Sequence, residues 1–193
     1  DAMGSRGMGL LLGNDNTQFR RMREIPMAAA AFGPSFGSST WLMCQSDFAV
    51  MHKSAIMAVS SPGLVSMALG EKVSAEELGG WRLHAEVTGL VDQIADTEEE
   101  VFDQIKRFLS YMPGHHKEAP PDAAIPAGSG ADMGKVFDLL PEKRTQVYDM
   151  KRVIKCIVDK DTLLELKPRF GKSAVTGLAR LGGMVLDLSG WKE

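Results

Sequence analysis

Apolar residues fall in short runs broken by glycine and proline through the first part of the chain, and at helical spacing further on. Met27-Ala28-Ala29-Ala30-Ala31-Phe32 runs into Gly33-Pro34. A run of that length, bounded by turn residues, predicts a buried strand. Apart from Phe36, small residues then occupy Ser35 to Ser39, and bulk returns from Thr40 to Cys44. This is the pattern of a strand feeding a tight loop and then a helix N-terminus. Phe48-Ala49-Val50-Met51 and Ala55-Ile56-Met57-Ala58-Val59 flank His52-Lys53-Ser54, which predicts two strands with a short turn between them.

Two helix starts follow. Ser74-Ala75-Glu76-Glu77 is a capping-box pattern, in which Ser74 bonds the Glu77 amide and Glu77 reaches back; the helix it opens ends at Gly79-Gly80. Thr97-Glu98-Glu99-Glu100 predicts a second box, with Val101, Ile105, Phe108, Leu109 and Met112 on one face behind it and Pro113-Gly114 as the stop.

From His115 to Gly134 the chain turns small and polar around Pro120-Pro121, Pro126 and Gly128-Ser129-Gly130, which predicts an extended linker. Asp149 is placed to cap a helix carrying Val153, Ile154, Ile157 and Val158. Ala174 to Ala179, Gly182-Gly183 and Met184 to Leu188 predict a hairpin or two adjacent strands. Strand–helix–strand order on both sides of the linker favours a mixed α/β architecture.

Composition narrows the function classes. In 193 residues, 22 Lys and Arg stand against 25 Asp and Glu, a net charge of −3. That gives no electrostatic reason to expect nucleic acid or an anionic membrane as partner. No stretch is long and apolar enough to span a bilayer. Cys44 and Cys156 lie in no CxxC pattern and near no histidine, so no metal site is expected, and both are predicted to be buried free thiols in a reducing compartment. The expected location is the cytoplasm, or the mitochondrial matrix in a eukaryote.

Few residues suggest chemistry on their own. Gly33-Pro34-Ser35-Phe36-Gly37-Ser38-Ser39 sits between a predicted strand and a predicted helix. Such a loop exposes backbone amides at the positive end of a helix, and two such amides can form an oxyanion hole for a thioester enolate; a plain strand-to-helix turn accounts for the same pattern. His52 and His115-His116 read as surface residues, and His84 as a structural histidine bonding nearby backbone. Met150-Lys151 has the pair found at biotinylated lysines, but no apolar hairpin surrounds it, so Lys151 is expected on a helix surface.

Several ordered segments together resemble one family. Gly33 to Ser39, closing with Asp47, is similar to the Gly-Pro-Cys-Ala-Gly-Gly-Ala segment of the carboxyltransferase subunits of biotin-dependent acyl-CoA carboxylases, of the propionyl-CoA carboxylase beta type. Pro62-Gly63-Leu64-Val65, then Glu77-Leu78-Gly79-Gly80 with His84 and Thr88-Gly89, resemble its next segments. Tyr148-Asp149-Met150, Val153-Ile154, Val158-Asp159 and Gly177-Leu178-Ala179-Arg180-Leu181-Gly182-Gly183 resemble the opening of its second half. Asp1 to Arg6 resembles Asp-Ser-Gly-Gly-Ala-Arg, which favours a native N-terminus over a tag remnant.

The resemblance implies a crotonase-like (ClpP/crotonase) fold of repeated β-β-α units in a spiral, present in part. Residues 1–114 would be the later part of the N-terminal half, 115–138 a linker, and 139–193 the start of the C-terminal half, so the chain is expected to be a piece of a longer one. It implies carboxyl transfer between carboxybiotin on a separate carrier and the α-carbon of an acyl-CoA. The Gly37 and Ser38 amides would hold the enolate, with Gly33, Pro34, Ser35, Phe36 and Ser39 beside the substrate and no metal. Ser38 stands where the family has glycine, and Phe36 where it has alanine, so the acyl pocket is expected to be narrower. The implied partners are a biotin carboxyl carrier or biotin carboxylase subunit and further copies of the chain. Two other readings stay open: the subunit of a biotin-dependent acyl-CoA decarboxylase, and a non-catalytic paralogue that binds acyl-CoA or assists assembly.

Overall fold

The computed structural model describes residues 20–143 and 145–191. The stretch Asp1 to Arg6 therefore lies outside the described residues.

The predicted first strand is β1 (Ala28–Ala31). After Gly33 the chain forms a second, short strand, β2 (Pro34–Phe36), and then helix α1 (Ser38–Cys44). Strands β3 (Phe48–His52) and β4 (Ile56–Ala58) come next, then helix α2 (Pro62–Leu69) and helix α3 (Ala75–Gly79). A π-helical turn, Leu83–Val87, leads to β5 (Gln93–Ala95) and the long helix α4 (Glu98–Leu109). The later elements are α5 (Val136–Leu139), α6 (Met150–Ile157), β6 (Leu164–Leu166), β7 (Ala174–Leu181) and β8 (Met184–Trp191).

Among the described residues the strands form three sheets. β1, β3 and β5 run parallel in that order, β2 and β4 form a parallel pair, and β6, β7 and β8 are antiparallel. The expected pair around His52-Lys53-Ser54 is thus two strands in different sheets. The chain turns a corner there, with Lys53 N–H donated to Ala95 and Ala55 N–H to His52. β3 is buried on both faces: Phe48 and Val50 join one apolar cluster, Ala49 and Met51 another. Such a strand reads as a continuous apolar run because neither face meets water.

The first cluster gathers Met43, Met51, Met57 and Val91 under Trp81. The second stacks Phe48 on Phe108, ring centroids 4.5 Å apart, and also takes in Leu164 and Leu178 from the antiparallel sheet. One core is therefore shared across the predicted linker. The segment before Met133 has no helix or strand, yet Ala123 N–H bonds the Gly183 carbonyl and Arg180 Nη1 donates to that of Pro121.

The caps show where local chemistry sets the ends. Ser74 Oγ accepts from Glu77 N–H at 3.2 Å and Glu77 Oε2 from Ser74 N–H at 3.0 Å, the reciprocal box expected. At α4 only half of the expected box forms. Thr97 Oγ1 accepts from Glu100 N–H, but Glu100 Oε2 accepts from Asp96 N–H at 2.7 Å, one residue further back. The helix ends at Leu109, ahead of Pro113, because Ser110 Oγ bonds the Arg107 carbonyl and the Ser110 carbonyl is taken by Arg180. Leu109 is left exposed as a result, while Tyr111 and Met112 turn back onto the core. Asp149 caps α6 through Lys151 N–H at 3.0 Å.

Gly182-Gly183 makes the expected hairpin turn, both residues at positive φ (62° and 84°), as a two-residue turn matching strand twist requires. The Asp159 carboxylate accepts both of their amides. The prediction of two buried thiols is corrected. Cys44, on the outer side of the short α1, is exposed, and Cys156 is half-buried.

Candidate functional site

The turn between β2 and α1 is built by hydroxyls and one glycine. Thr40 Oγ1, buried in the first turns of α1, is within reach of the Ser35 carbonyl (2.9 Å) and the Ala58 carbonyl (3.0 Å), and so ties the turn to β4. Ser35 Oγ donates to Ser39 Oγ at 2.8 Å, and Ser39 Oγ to the Phe36 carbonyl at 3.1 Å. Gly37 sits at φ 70°, ψ −124°, a conformation in which a Cβ would collide with its own backbone, so only glycine adopts it readily.

That geometry separates the two amides expected to act together. Gly37 N–H is donated inward to the Ala58 carbonyl (3.2 Å) and the Val59 carbonyl (3.1 Å). The reason is topological: β2 runs beside β4, and the end of β4 supplies acceptors just where the chain turns. Ser38 opens α1, where helical geometry provides no acceptor for the first N–H groups, and among the described residues no partner to its amide is found. A Cβ added to Gly37 or Gly33 would meet nothing within 4 Å, so the space beside both is open.

Sequence reasoning singled out Gly33, Pro34, Ser35, Phe36, Gly37, Ser38 and Ser39, and the fold brings them together as one short strand and helix start. It did not single out Thr40 or the carbonyls of Ala58 and Val59. The one available signal was a hydroxyl just behind a glycine turn.

The remaining candidates are structural. Buried His84 donates through Nε2 to the Met57 carbonyl at 2.6 Å, and its Nδ1 lies 3.2 Å from Thr88 Oγ1. His52 is held between Ser54 Oγ and the Asp96 carbonyl. Lys151 pairs with Glu165 at 2.7 Å from the surface of α6. Among the described residues no three His, Cys, Asp or Glu side chains gather as metal ligands, and no helix is long and apolar enough to cross a membrane. Clefts of about 450 Å³ lie elsewhere, one lined by Arg107, Lys155 and Lys160 and another by Arg23, Cys44 and Asp47.

Comparison with known proteins matches residues 4–187 to the carboxyl transferase domain. The uncharacterized carboxylase YngE of Bacillus subtilis (strain 168) is 33% identical over 188 residues, covering 96% of this chain and 36% of that protein. The propionyl-CoA carboxylase carboxyltransferase subunit of Haloferax mediterranei is 28% identical over 177 residues, covering 89% of this chain and 34% of that one. The transcarboxylase 12S crystal structure, a hexamer with hydrolyzed methylmalonyl-coenzyme A bound, superposes with a TM-score of 0.82 at 25% identity over 91% of this chain and 36% of its own. The chain spans about a third of the length of these relatives.

Proposed function

We propose, from the premise that this chain belongs to the carboxyl transferase domain family and has its crotonase-like fold in part, that the whole protein moves a carboxyl group between biotin and the α-carbon of an acyl-CoA. In this reading residues 1–114 are the later part of the N-terminal half, 115–138 the linker and 139–193 the start of the C-terminal half. This chain provides the thioester side of the site.

The observation behind the reading is the turn itself: the Ser38 amide without an acceptor among the described residues, next to the open space at Gly37. A thioester carbonyl oxygen placed there accepts from Ser38 N–H. As the α-proton leaves, negative charge moves onto that oxygen, and a donor already aimed at it stabilises the enolate without reorganising. Gly37 serves through its conformation, since its own N–H is committed to β4. Thr40, Ser35 and Ser39 keep the turn rigid, which preserves that aim.

The biotin would be carried on a separate carrier protein; when bound, it supplies the carboxyl group and accepts the α-proton. A Cβ at Gly33 or Gly37 would meet nothing within 4 Å, so neither position obstructs the approach of a ring to the turn. In the overall reaction one C–H bond at the α-carbon and one N–carboxyl bond are exchanged for a C–C and an N–H bond. The role of this chain is to hold the thioester and spread its charge. Its further partners would be the biotin carboxyl carrier or biotin carboxylase subunit and other copies of the chain, as the hexameric relative suggests.

The test uses the full-length protein with its biotinylated carrier. Acyl-CoA-dependent exchange of labelled carboxyl group is the expected result. Absence of exchange with every short and medium acyl-CoA would remove the proposal.

A further inference from the structure

The pairing of β2 with β4 divides their side chains into two faces. Register sets Ser35 opposite Met57 and Phe36 opposite Ala58, and residues of like parity on paired strands share a face. Met57 is fully buried in the first core cluster, and Ser35 bonds Ser39 of α1, so theirs is the inner face. Pro34, Phe36, Ile56 and Ala58 make the other. It is wholly apolar, yet none of its members belongs to any of the three core clusters of the described residues. Pro34 is exposed, Phe36 and Ile56 are only half-buried, and Ala58 alone of the four is buried.

This uncommitted face leads to the site. It ends at Gly37, where the space is open, close to the exposed Val59 just past the end of β4; the Val59 carbonyl receives the Gly37 amide. Because this face ends one residue before Ser38, an acyl chain whose thioester oxygen sits at the Ser38 amide would begin next to it. Phe36 is the largest side chain on it and the one adjoining the turn.

Resting on the function proposed above, we infer that Phe36 sets acyl-chain length, its ring filling the end of the strip that a longer acyl group would need. One methylene more or less in an apolar pocket changes kcat/KM by about 10-fold or more, so removing a phenyl ring moves the preference by several carbons.

The experiment compares full-length wild type, Phe36→Ala and Phe36→Leu, each with its biotinylated carrier, on acetyl-, propionyl-, butyryl- and hexanoyl-CoA. The expected result is a rise of about 10-fold or more in the hexanoyl-to-propionyl ratio of kcat/KM for Phe36→Ala, with Phe36→Leu between. If Phe36→Ala does not fold, the same shift at smaller size is expected from Phe36→Leu, with calorimetric Kd values across the series as the second readout. A uniform loss at all chain lengths, as a purely structural role would give, overturns the inference. So does an unchanged profile. Wild type that exchanges while its variants keep its profile rejects Phe36 alone; wild type that never exchanges rejects the underlying function and this inference with it.

Discussion

Lys167 Nζ lies 3.1 Å from Asp92 Oδ1, and this pair joins the antiparallel sheet to the parallel one. Asp92 also accepts the Ala49 amide through Oδ2, and its own carbonyl receives Lys167 N–H. Lys167 holds a positive φ of 51° and donates to the Gly89 carbonyl as well. Gln93 Nε2 adds a bond to the Glu165 carbonyl nearby. Two segments far apart in sequence thus share a nearly buried carboxylate.

Lys167→Met is expected to lower stability by about 2 kcal/mol. Removing one partner of a buried pair leaves a desolvated charge behind, at a cost of several kcal/mol, and the partial exposure of the lysine reduces that figure. Urea denaturation reads the change as a shift in midpoint. An unshifted midpoint would mean that the pair is incidental to the packing of the two sheets.

Gly33 and Gly37 make a contrasting pair. Both have room for a methyl group, but only Gly37 has a positive φ. Gly37→Ala should cost about 1–3 kcal/mol through backbone strain. Gly33→Ala should change stability by no more than about 1 kcal/mol and can raise it by restricting the unfolded chain. Equal losses in thermal melts of the two variants would place the effect in crowding rather than in φ.

These details divide what is legible in a sequence from what is not. Ser74 and Asp149 announced their helices, and Gly182-Gly183 its hairpin, because a cap or a tight turn is decided by a few neighbouring residues. The fully apolar runs of β1 and β3 marked strands that pack on both faces, β3 buried almost throughout and β1, at the edge of its sheet, half-buried except at Ala31. The three-residue strand β2 left no periodic signal; β4 was expected as a strand, but its pairing with β2 across the corner at Lys53 depends on tertiary packing. Helix α2 opens with Pro62-Gly63, which reads as a turn, and none of its residues is buried to impose a helical pattern. At the proposed site, ordered resemblance singled out the residues from Gly33 to Ser39. The two acceptors of the Gly37 amide were invisible because they lie at and just past the end of β4, and β4 was expected to pair elsewhere.

The capping box of α3 carries a pH signature. Hydrogen bonds from the Ser74 hydroxyl and amide hold the Glu77 carboxyl below the usual carboxylate range. A carboxyl with a lowered folded-state pKa adds stability above the unfolded value of about 4.3, and that part is lost as pH falls through the folded value. The melting-temperature gap between wild type and Glu77→Gln should therefore be larger at pH 6 than at pH 3. The gap is small, because the group is fully exposed. An equal gap at both pH values would mean that the ionised form has no advantage in the fold.

The Ser38 amide can be deleted without deleting the helix. Proline is favoured at the first helical position, where its missing N–H has no intrahelical acceptor to lose. The glycine before it already adopts φ 70°, ψ −124°, the mirror image of the extended conformation that residues before proline prefer. Ser38→Pro therefore removes one donor with little expected strain, while Ser38→Ala keeps the donor and removes only the hydroxyl. On the function proposed above, Ser38→Pro in the full-length protein, assayed with a biotinylated carrier, should lower kcat for carboxyl exchange by about 100-fold to 1,000-fold, the cost of losing one oxyanion donor, and Ser38→Ala by far less. The melting temperature of Ser38→Pro should stay near that of wild type, which separates chemistry from folding. Parallel losses in the two variants would assign the effect to the hydroxyl. Full activity in Ser38→Pro would mean that the thioester oxygen finds its donor elsewhere, and the turn would then be a strand-to-helix connection with no part in the chemistry.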